Sequence, residues 1–226
     1  MTSTPQLIER HRNIIELSIV NRPSVLSFDV GVDSTLNASF SGPSPAFSVG
    51  NGGSYRTKTL RINKINRVYE NTRGLTRASV DLDDLASATI PGDSALSFFR
   101  VTEVLPSGSG PAGPILVVPP PGFFSSSRKV LALTGTSPNV APDPSGLPPV
   151  GCMSVVFPRF SDRLEFSNTG ASVILLSFHP GVPEIPISAG ETRVFEHAGI
   201  NKLFVHTNGA TSNFRVITSM VDGISH

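Results

Sequence analysis

The chain has 226 residues, of which 18 are basic and 17 acidic, so its net charge is +1. Charged residues make up only 15% and form no basic stripe, which argues against a nucleic acid as partner. The single cysteine excludes an internal disulfide and favours synthesis in a reducing cytosol. Hydrophobic residues make up 38%, enough for packed cores, and 20 glycines with 20 prolines favour short strands joined by turns.

The amino-terminal residues 1–12 are predicted to form an arm that becomes ordered on a partner, with a frayed terminus as the alternative. Thr4-Pro5 has the chemistry of a helix start, and Leu7 and Ile8 would then form a small apolar face. These residues lack the apolar core of a secretory signal. Since no stretch approaches the roughly 20 apolar residues needed to cross a bilayer, we expect a soluble chain with no membrane partner.

Residues 13–118 are predicted to form a β-sandwich. Leu26–Asp33 alternates apolar and polar side chains, the pattern of a strand with one buried and one wet face. Ser94–Leu105 is apolar on both faces, which predicts a central strand. The only predicted local helix is Asp81–Ala86. Its aspartates suggest calcium ligands, but acidic residues at a helix start are expected from the macrodipole alone, so no metal site is predicted.

A run of three prolines, Pro119-Pro120-Pro121, is predicted to separate two domains. Proline lacks a backbone N–H, so this run fits neither a sheet interior nor a helix and favours an extended polyproline segment. Residues 119–150 are rich in proline, glycine and serine, and we predict a linker there with one strand at Lys129–Leu133. The segment is expected to act as a spacer between the two domains.

Residues 151–226 are predicted to form a second, jelly-roll-like β-sandwich of short antiparallel strands. Within it, Ser172–Phe178 is apolar on both faces and predicts another central strand. Cys152 is interpreted as a small buried hydrophobe, because no neighbouring base suggests a thiolate nucleophile. The spacing of the histidines is too wide for a metal site, and each is predicted to be an ordinary surface residue: His179, His197 and His206.

The first domain resembles a fibronectin type III module. The strand Ser97–Val104 is similar to a late strand of that family, although the chain has no tryptophan. The resemblance implies a sandwich of two antiparallel sheets.

A second resemblance, to structural proteins of tailed bacteriophages, covers most of the chain. Segments similar to decoration and tail proteins are Arg67–Thr76, Pro114–Phe124, Asn168–Ala171, Ser177–Gly181 and Ile187–Thr192. The resemblance implies a building role without catalytic residues.

Taken together, these patterns predict an all-β, non-enzymatic virion protein without a cofactor. The leading hypothesis is a cement or decoration protein that binds the major capsid protein, or another virion protein, as a homo-oligomer or within the lattice. The alternatives are a tail, neck or baseplate component and a module that binds host carbohydrate. The residues predicted to form the interface are Leu7, Ile8, Arg10, Arg12, Phe47, Phe123 and Phe124.

An enzyme is disfavoured because the chain contains neither a Gly-x-Ser-x-Gly elbow nor a phosphate-binding loop. The interface prediction is based on apolar side chains in loops that look exposed. For Phe123 and Phe124, a hydrophobic plug between the two domains is the alternative, and it is favoured over a capsid contact. The predicted location is the virion, assembled in the host cytoplasm.

Overall fold

A computed structural model of the chain describes residues 4–11, 14–36, 47–56, 74–82, 96–120, 123, 128–143, 148–149, 151–179 and 182–221. Those residues contain fourteen strands and no α-helix, so the predicted all-β class is confirmed. No helix in the described part of the chain is long and apolar enough to span a bilayer. The strands are β1 (Gln6–His11), β2 (Ile14–Val20), β3 (Ser27–Asp33), β4 (Phe47–Gly50), β5 (Ser54–Arg56), β6 (Leu75–Asp81), β7 (Ser97–Leu105), β8 (Gly108–Val118), β9 (Arg128–Ser137), β10 (Met153–Asn168), β11 (Ile174–Ser177), β12 (Ile185–Ile187), β13 (Thr192–Thr207) and β14 (Ser212–Val221).

The chain divides into two compact units. Unit 1 comprises Met1–Ser34 and Gly42–Pro121, and unit 2 comprises Thr35–Ser41 and Gly122–His226. The second unit therefore begins well before the predicted domain start at residue 151. The physical reason is β9, which pairs along its whole length with β14 and so belongs to a sheet of unit 2.

Unit 1 contains two sets of four strands. One has the order β1-β2-β6-β5 and the other β8-β7-β3-β4. Within these two sets the strands pair antiparallel, except that β5 is parallel to β6. β1 approaches β8 at one pair of edges, and β4 approaches β5 and β6 at the other. Apolar side chains from both sets are fully or almost fully buried, including Ile15, Leu17, Ile19, Phe28, Val30, Val80, Phe99 and Val101.

The amino-terminal segment differs from its prediction. Gln6–His11 forms strand β1, paired antiparallel with β2, so the predicted helix start is wrong. Leu7 lies opposite the fully buried Leu17, and the ladder provides partners for the backbone polar groups of the segment. The register shifts between Leu7 and Glu9, which makes Ile8 the extra residue of an irregularity in β1.

Two other predictions fall at the borders of the described residues. Asp81 ends strand β6, and apart from Leu82 the rest of the predicted helix Asp81–Ala86 lies outside the described residues. Pro119 and Pro120 follow β8 in irregular backbone, and Pro121 is outside the described residues. The polyproline spacer therefore stays a prediction. The predicted central strand in unit 1 is confirmed, because β7 pairs with β3 on one side and β8 on the other.

Unit 2 is built around two strands of sixteen residues, β10 and β13. They pair in two segments, with register shifts between Val156 and Ser161 and between Ser161 and Arg163. The carboxyl-terminal segment of β10 pairs on its other edge with β14, which pairs with β9. The carboxyl-terminal segment of β13 pairs with β11, and β11 with β12. The predicted central strand around β11 is thus confirmed.

The core of unit 2 receives side chains from both segments of the long strands. Ring stacking of Phe166 on Phe214, with centroids 5.3 Å apart, marks its centre. The fully buried members also include Leu164, Ile174, Leu176, Ile187, Leu203, Val205 and Val216. Pro138 follows the end of β9, and its carbonyl oxygen accepts from the N–H of Thr207 at 2.9 Å. This hydrogen bond joins the segment after β9 to the end of β13.

Candidate functional site

The predicted interface residues of β1 do not form an exposed patch. Leu7 is half-buried, while Ile8 is 38% exposed. Arg10 turns towards the end of β8, where its Nη1 donates to the carbonyl oxygens of Pro119 at 2.7 Å and Val118 at 3.4 Å. Arg10 therefore stabilises unit 1 from within, and only Ile8 offers an apolar side chain to solvent. Arg12 lies outside the described residues.

Of the predicted interface phenylalanines, Phe47 differs most clearly from its prediction. Phe47 is 6% exposed, because it begins β4 and lies opposite the buried Val30 of β3. Its prediction as an exposed loop residue is wrong. Phe123 is half-buried in unit 2, and Phe124 lies outside the described residues. Phe47 belongs to unit 1 and Phe123 to unit 2.

His206 corrects the prediction that the histidines are surface residues. It is 1% exposed, at the end of β13. Its Nδ1 donates to the carbonyl oxygen of Val140 at 3.1 Å, and its Nε2 is hydrogen-bonded to Oε1 of Glu184 at 2.5 Å. The imidazole thus ties two irregular segments to β13. His179 is exposed, as predicted.

Unit 2 presents a broad sheet surface, which we call the outer face. It consists of side chains from β9, β14, the carboxyl-terminal part of β10 and the amino-terminal part of β13 that point away from the core. Directly paired residues point to the same side of a sheet, so the cross-strand register assigns its members. The rows are Glu196, Arg163, Ser219 and Val130, then Val194, Glu165, Ile217 and Ala132, then Thr192, Ser167, Arg215 and Thr134.

The apolar part of the outer face is its β14–β9 side, where Val130, Ala132 and Ile217 are neighbours, while Val194 of β13 is separated from them by Glu165 of β10. Val130 is 61% exposed and Val194 45% exposed, and Ile217 and Ala132 lie in the rows with them. Phe160 is a further apolar side chain on the outer-face side of β10. Ser161 pairs with the buried Met220 and therefore faces the core, so Phe160, one residue before it, points away from the core. Phe160 is 63% exposed, the largest value among the described exposed apolar side chains.

The remainder of the outer face is polar and charged. Arg163 donates through Nε to Oε1 of Glu196 at 3.0 Å and through Nη2 to Oε2 of Glu165 at 3.4 Å. Exposed ion pairs of this kind contribute little to stability, so we regard them as orienting the apolar side chains beside them. Arg215 is exposed in the next row, and among the described residues no carboxylate pairs with it. A partner can therefore neutralise this guanidinium.

The conspicuous Asn168-Thr169-Gly170 motif forms a buried polar cluster away from the outer face. Asn168 Nδ2 donates to the carbonyl oxygens of Ser172 at 2.7 Å and Ile187 at 2.9 Å. Its Oδ1 accepts from the Gly170 N–H at 3.1 Å and from Ser212 Oγ at 3.0 Å. All four hydrogen-bonding positions of the amide are used. The Asn168 amide therefore fastens the ends of strands and has no hydrogen-bonding position left for a ligand.

Two ionisable groups of unit 2 have shifted pKa values. Burial lowers the pKa of Lys202, whose Nζ lies 4.8 Å from the ring centroid of Phe204. The backbone N–H of Ser188 and the side chain of Arg193 lower the pKa of Glu191. Among the residues that the structure describes, no three histidine, cysteine, aspartate or glutamate side chains come together as a metal site.

Comparison with known proteins adds no assignment: no protein-family model, curated protein or solved structure matches the chain. The outer face was missed in the sequence, although its signal was present. Arg163–Ser167 alternates strictly, and its polar positions are the outer-face residues of β10. What the sequence did not contain was the order β13-β10-β14-β9, which brings distant apolar side chains together.

Proposed function

We propose that the protein is a non-enzymatic structural component of a tailed-phage virion, a cement or decoration protein that stabilises the head by protein–protein contacts. The observation that carries the proposal is the outer face, where Val130, Ala132 and Ile217 adjoin on a supported sheet and Phe160 and Val194 are exposed on the other two strands. Isolated exposed apolar residues are common on protein surfaces, whereas contiguous ones mark contact sites. The four strands beneath the outer face are paired with one another, so the docking surface is rigid.

The proposal includes the finer fold of both units. In unit 1 the strand orders β1-β2-β6-β5 and β8-β7-β3-β4 correspond to an immunoglobulin-type sandwich with one added edge strand, which supports a fibronectin type III-like module. The parallel pairing of β5 with β6 departs from that pattern. In unit 2, β10 and β13 change partners at an irregularity, as strands do when they turn the corner between two packed sheets. This supports a second, jelly-roll-like sandwich.

Docking on the outer face would act through buried area. A specific interface covers about 800 Å² on each partner, and a few central apolar or aromatic side chains provide most of its energy. Phe160, Val130 and Val194 are the anchors available for that purpose. Arg215 would pair with a carboxylate of the capsid subunit at the polar side of the same face. Repetition over a lattice multiplies such contacts without requiring each to be strong.

The test uses empty heads assembled from the major capsid protein encoded alongside this chain. Co-sedimentation should give saturable binding with a stoichiometry fixed by the head lattice. Phe160→Ser and Val130→Ser should each weaken binding about tenfold or more, the loss expected for an anchor residue. Leu26→Ser is the matched control: Leu26 is 59% exposed but lies in unit 1, and its replacement should leave binding unchanged.

Three outcomes contradict the proposal in different ways. If the protein binds purified tails or baseplates and does not bind heads, it is a tail component. Retention on host-surface polysaccharide without head binding would make it a carbohydrate-binding module. Head binding that is lost with Leu26→Ser and kept with Phe160→Ser would retain the function but reject the outer face as the docking surface.

A further inference from the structure

The chain contains two Asn-Gly dipeptides, Asn51-Gly52 and Asn208-Gly209. In such a pair the backbone nitrogen of the glycine can attack the side-chain carbonyl carbon of the asparagine, because glycine has no Cβ atom to hinder the approach. Asparagine is accordingly one of the thermolabile residues of proteins. The reaction requires a side-chain amide that can turn and a glycine N–H that can lose its proton. The hydrogen bonds of these two groups therefore decide where it occurs.

At Asn51-Gly52 both reacting groups are held. Nδ2 of Asn51, which is half-buried, donates to the carbonyl oxygen of Arg22 at 3.0 Å. The N–H of Gly52 donates to Oγ1 of the fully buried Thr76 at 2.7 Å. The amide and the nitrogen can meet only after hydrogen bonds to two different parts of unit 1 have broken, so this dipeptide is protected twice.

At Asn208-Gly209 only the glycine is held. Asn208 is exposed in the turn between β13 and β14, and within the described ranges no hydrogen bond restrains its side-chain amide. The N–H of Gly209 donates to Oδ1 of Asn139 at 2.8 Å, and Nδ2 of Asn139 donates to the carbonyl oxygen of Gly209 at 3.1 Å. The protection of this dipeptide therefore depends on the side chain of Asn139.

The side chain of Asn139 is in place because its backbone is fixed by other bonds. The N–H of Thr207 donates to the carbonyl oxygen of Pro138 at 2.9 Å, and the N–H of Val140 donates to the carbonyl oxygen of Thr207 at 2.9 Å. These bonds run on either side of Asn139 and do not involve its amide. A replacement of the Asn139 side chain therefore leaves the segment attached to the end of β13.

We propose that Asn208 is a site of slow deamidation and that Asn139 sets its rate by holding the attacking nitrogen. The nitrogen of Gly209 forms a bond to Cγ of Asn208, and the side-chain nitrogen leaves as ammonia together with the proton of Gly209. Water then opens the resulting succinimide at either carbonyl, which gives aspartate or isoaspartate at position 208 without any other reactant. Both products add a negative charge to the turn. Isoaspartate also lengthens the backbone before Gly209, so the two hydrogen bonds to Asn139 cannot form again in the same register.

Timed incubation of the full chain in mildly alkaline buffer, followed by peptide mass spectrometry, tests the proposal. Conversion of amide to acid is measured at both dipeptides in the same molecules, and in the wild type Asn208 should convert before Asn51. Asn139→Ala should accelerate conversion at Asn208 about tenfold, because the hydrogen bond that must break first is absent. Conversion at Asn51 should be unchanged. Asn139→Asp retains an acceptor oxygen for the N–H of Gly209 and should stay close to the wild-type rate.

Thr136→Ala is the matched control for a general loosening of unit 2. It removes a different side-chain hydrogen bond, from the hydroxyl of Thr136 to Oδ1 of Asn213 at 3.0 Å, and should leave the rate at Asn208 unchanged. Equal rates in wild type and Asn139→Ala, or equal acceleration by Asn139→Ala and Thr136→Ala, overturn the inference. Conversion of Asn51 before Asn208 in the wild type overturns it as well. None of these measurements involves heads, so the inference and the proposed function can fail separately.

Discussion

At the scale of single residues, the stability of unit 2 depends on one buried amide. Asn168 is 1% exposed, and its side chain connects the end of β10 with backbone carbonyls that precede β11 and end β12, and with the hydroxyl of Ser212 at the start of β14. Gly170 belongs to the same arrangement: a Cβ atom there would lie 2.2 Å from Ser212 Oγ and 2.5 Å from the Asn213 nitrogen. The asparagine and the glycine of the motif are thus required by packing and hydrogen bonding rather than by binding.

Replacement of Asn168 should therefore be costly. Asn168→Ala leaves several buried polar partners without a hydrogen bond, and we expect a loss of about 3 kcal/mol in the free energy of unfolding. Asn168→Asp preserves the shape, but an ionised carboxylate cannot donate to the carbonyl oxygens of Ser172 and Ile187. It should be at least as destabilising at pH 7. Urea denaturation monitored by circular dichroism measures both, and near-wild-type stability of Asn168→Asp would contradict the donor assignment.

Lys202 gives unit 2 a pH dependence in the alkaline range. Burial lowers its pKa in the folded chain below the ordinary value of 10.5, so the unfolded chain binds more protons in that interval. The contribution of Lys202 to the free energy of unfolding should then rise as pH increases through the folded pKa towards 10.5.

Two variants isolate this contribution. Lys202→Met should be more stable relative to wild type at pH 7 than at pH 10, because the cost of burying the ammonium disappears as it deprotonates. Lys202→Arg keeps its charge over this range and should not show the alkaline gain. Urea denaturation at both pH values measures the differences. If the difference in the free energy of unfolding between wild type and Lys202→Met is the same at both pH values, the proposed pH dependence from Lys202 is excluded.

At the scale of elements, alternation in the sequence was a reliable guide where one face of a strand meets the core and the other meets water. It located β3 and the carboxyl-terminal part of β10, and uniform apolarity located β7 and β11. It did not identify β1, since a proline near the start and the adjacent pair Leu7 and Ile8 resemble a helix start. The irregularity at Ile8 breaks the alternation that would have indicated a strand.

The nature of β1 has a direct test. An arm that becomes ordered only on a partner can be removed without cost, whereas deletion of residues 1–11 should uncover the edge of β2 and expose the buried side chains beneath it. We expect the deletion to destabilise unit 1 by several kcal/mol, about the effect of losing two or three buried apolar side chains. Thermal unfolding of the truncated chain measures this loss of stability. An unchanged unfolding midpoint would instead support the prediction of an arm that becomes ordered only on a partner.

Arg10→Ala tests the same segment with a smaller change than the deletion of residues 1–11. It removes hydrogen bonds from a charged donor to the carbonyl oxygens of Val118 and Pro119 but leaves the β1–β2 ladder in place. We expect Arg10→Ala to lower the free energy of unfolding of unit 1 by about 1–2 kcal/mol, well below the effect of the deletion. Equal losses for both changes would mean that the arginine, not the strand, holds the amino-terminal segment.

At the scale of the whole molecule, partners far apart in the chain explain what alternation could not reveal. Arg22 donates to both carboxylate oxygens of Glu103, 81 residues away, at 2.9 and 3.2 Å. β9 finds its partner in β14, more than seventy residues later, so a segment that looked like a linker is part of a sheet. His206 is buried because Glu184 and Val140, neither near it in sequence, provide its hydrogen bonds. Composition and periodicity contain none of these pairings.

Leu36 is the clearest case, because it belongs to unit 2 although the chain up to Ser34 belongs to unit 1. Its side chain is 3% exposed and its carbonyl oxygen accepts from Thr136. Leu36→Ala should therefore destabilise unit 2 by about 2–3 kcal/mol, the lower part of the range for buried leucines. Leu26→Ala is the matched control, since Leu26 is 59% exposed and should change stability little.

Hydrogen exchange shows which strands lose stability in Leu36→Ala. In Leu36→Ala the amide of Thr136 and the β9–β14 ladder should lose protection. The β3–β7 ladder of unit 1 should keep it, although β3 ends only three residues before Leu36 in the chain. Protection lost from β3 and β7 but not from β9 would mean that Leu36 stabilises the unit that precedes it. The segment would then be an ordinary loop of unit 1, and the edge of β9 would have no demonstrated capacity to accept an extended chain.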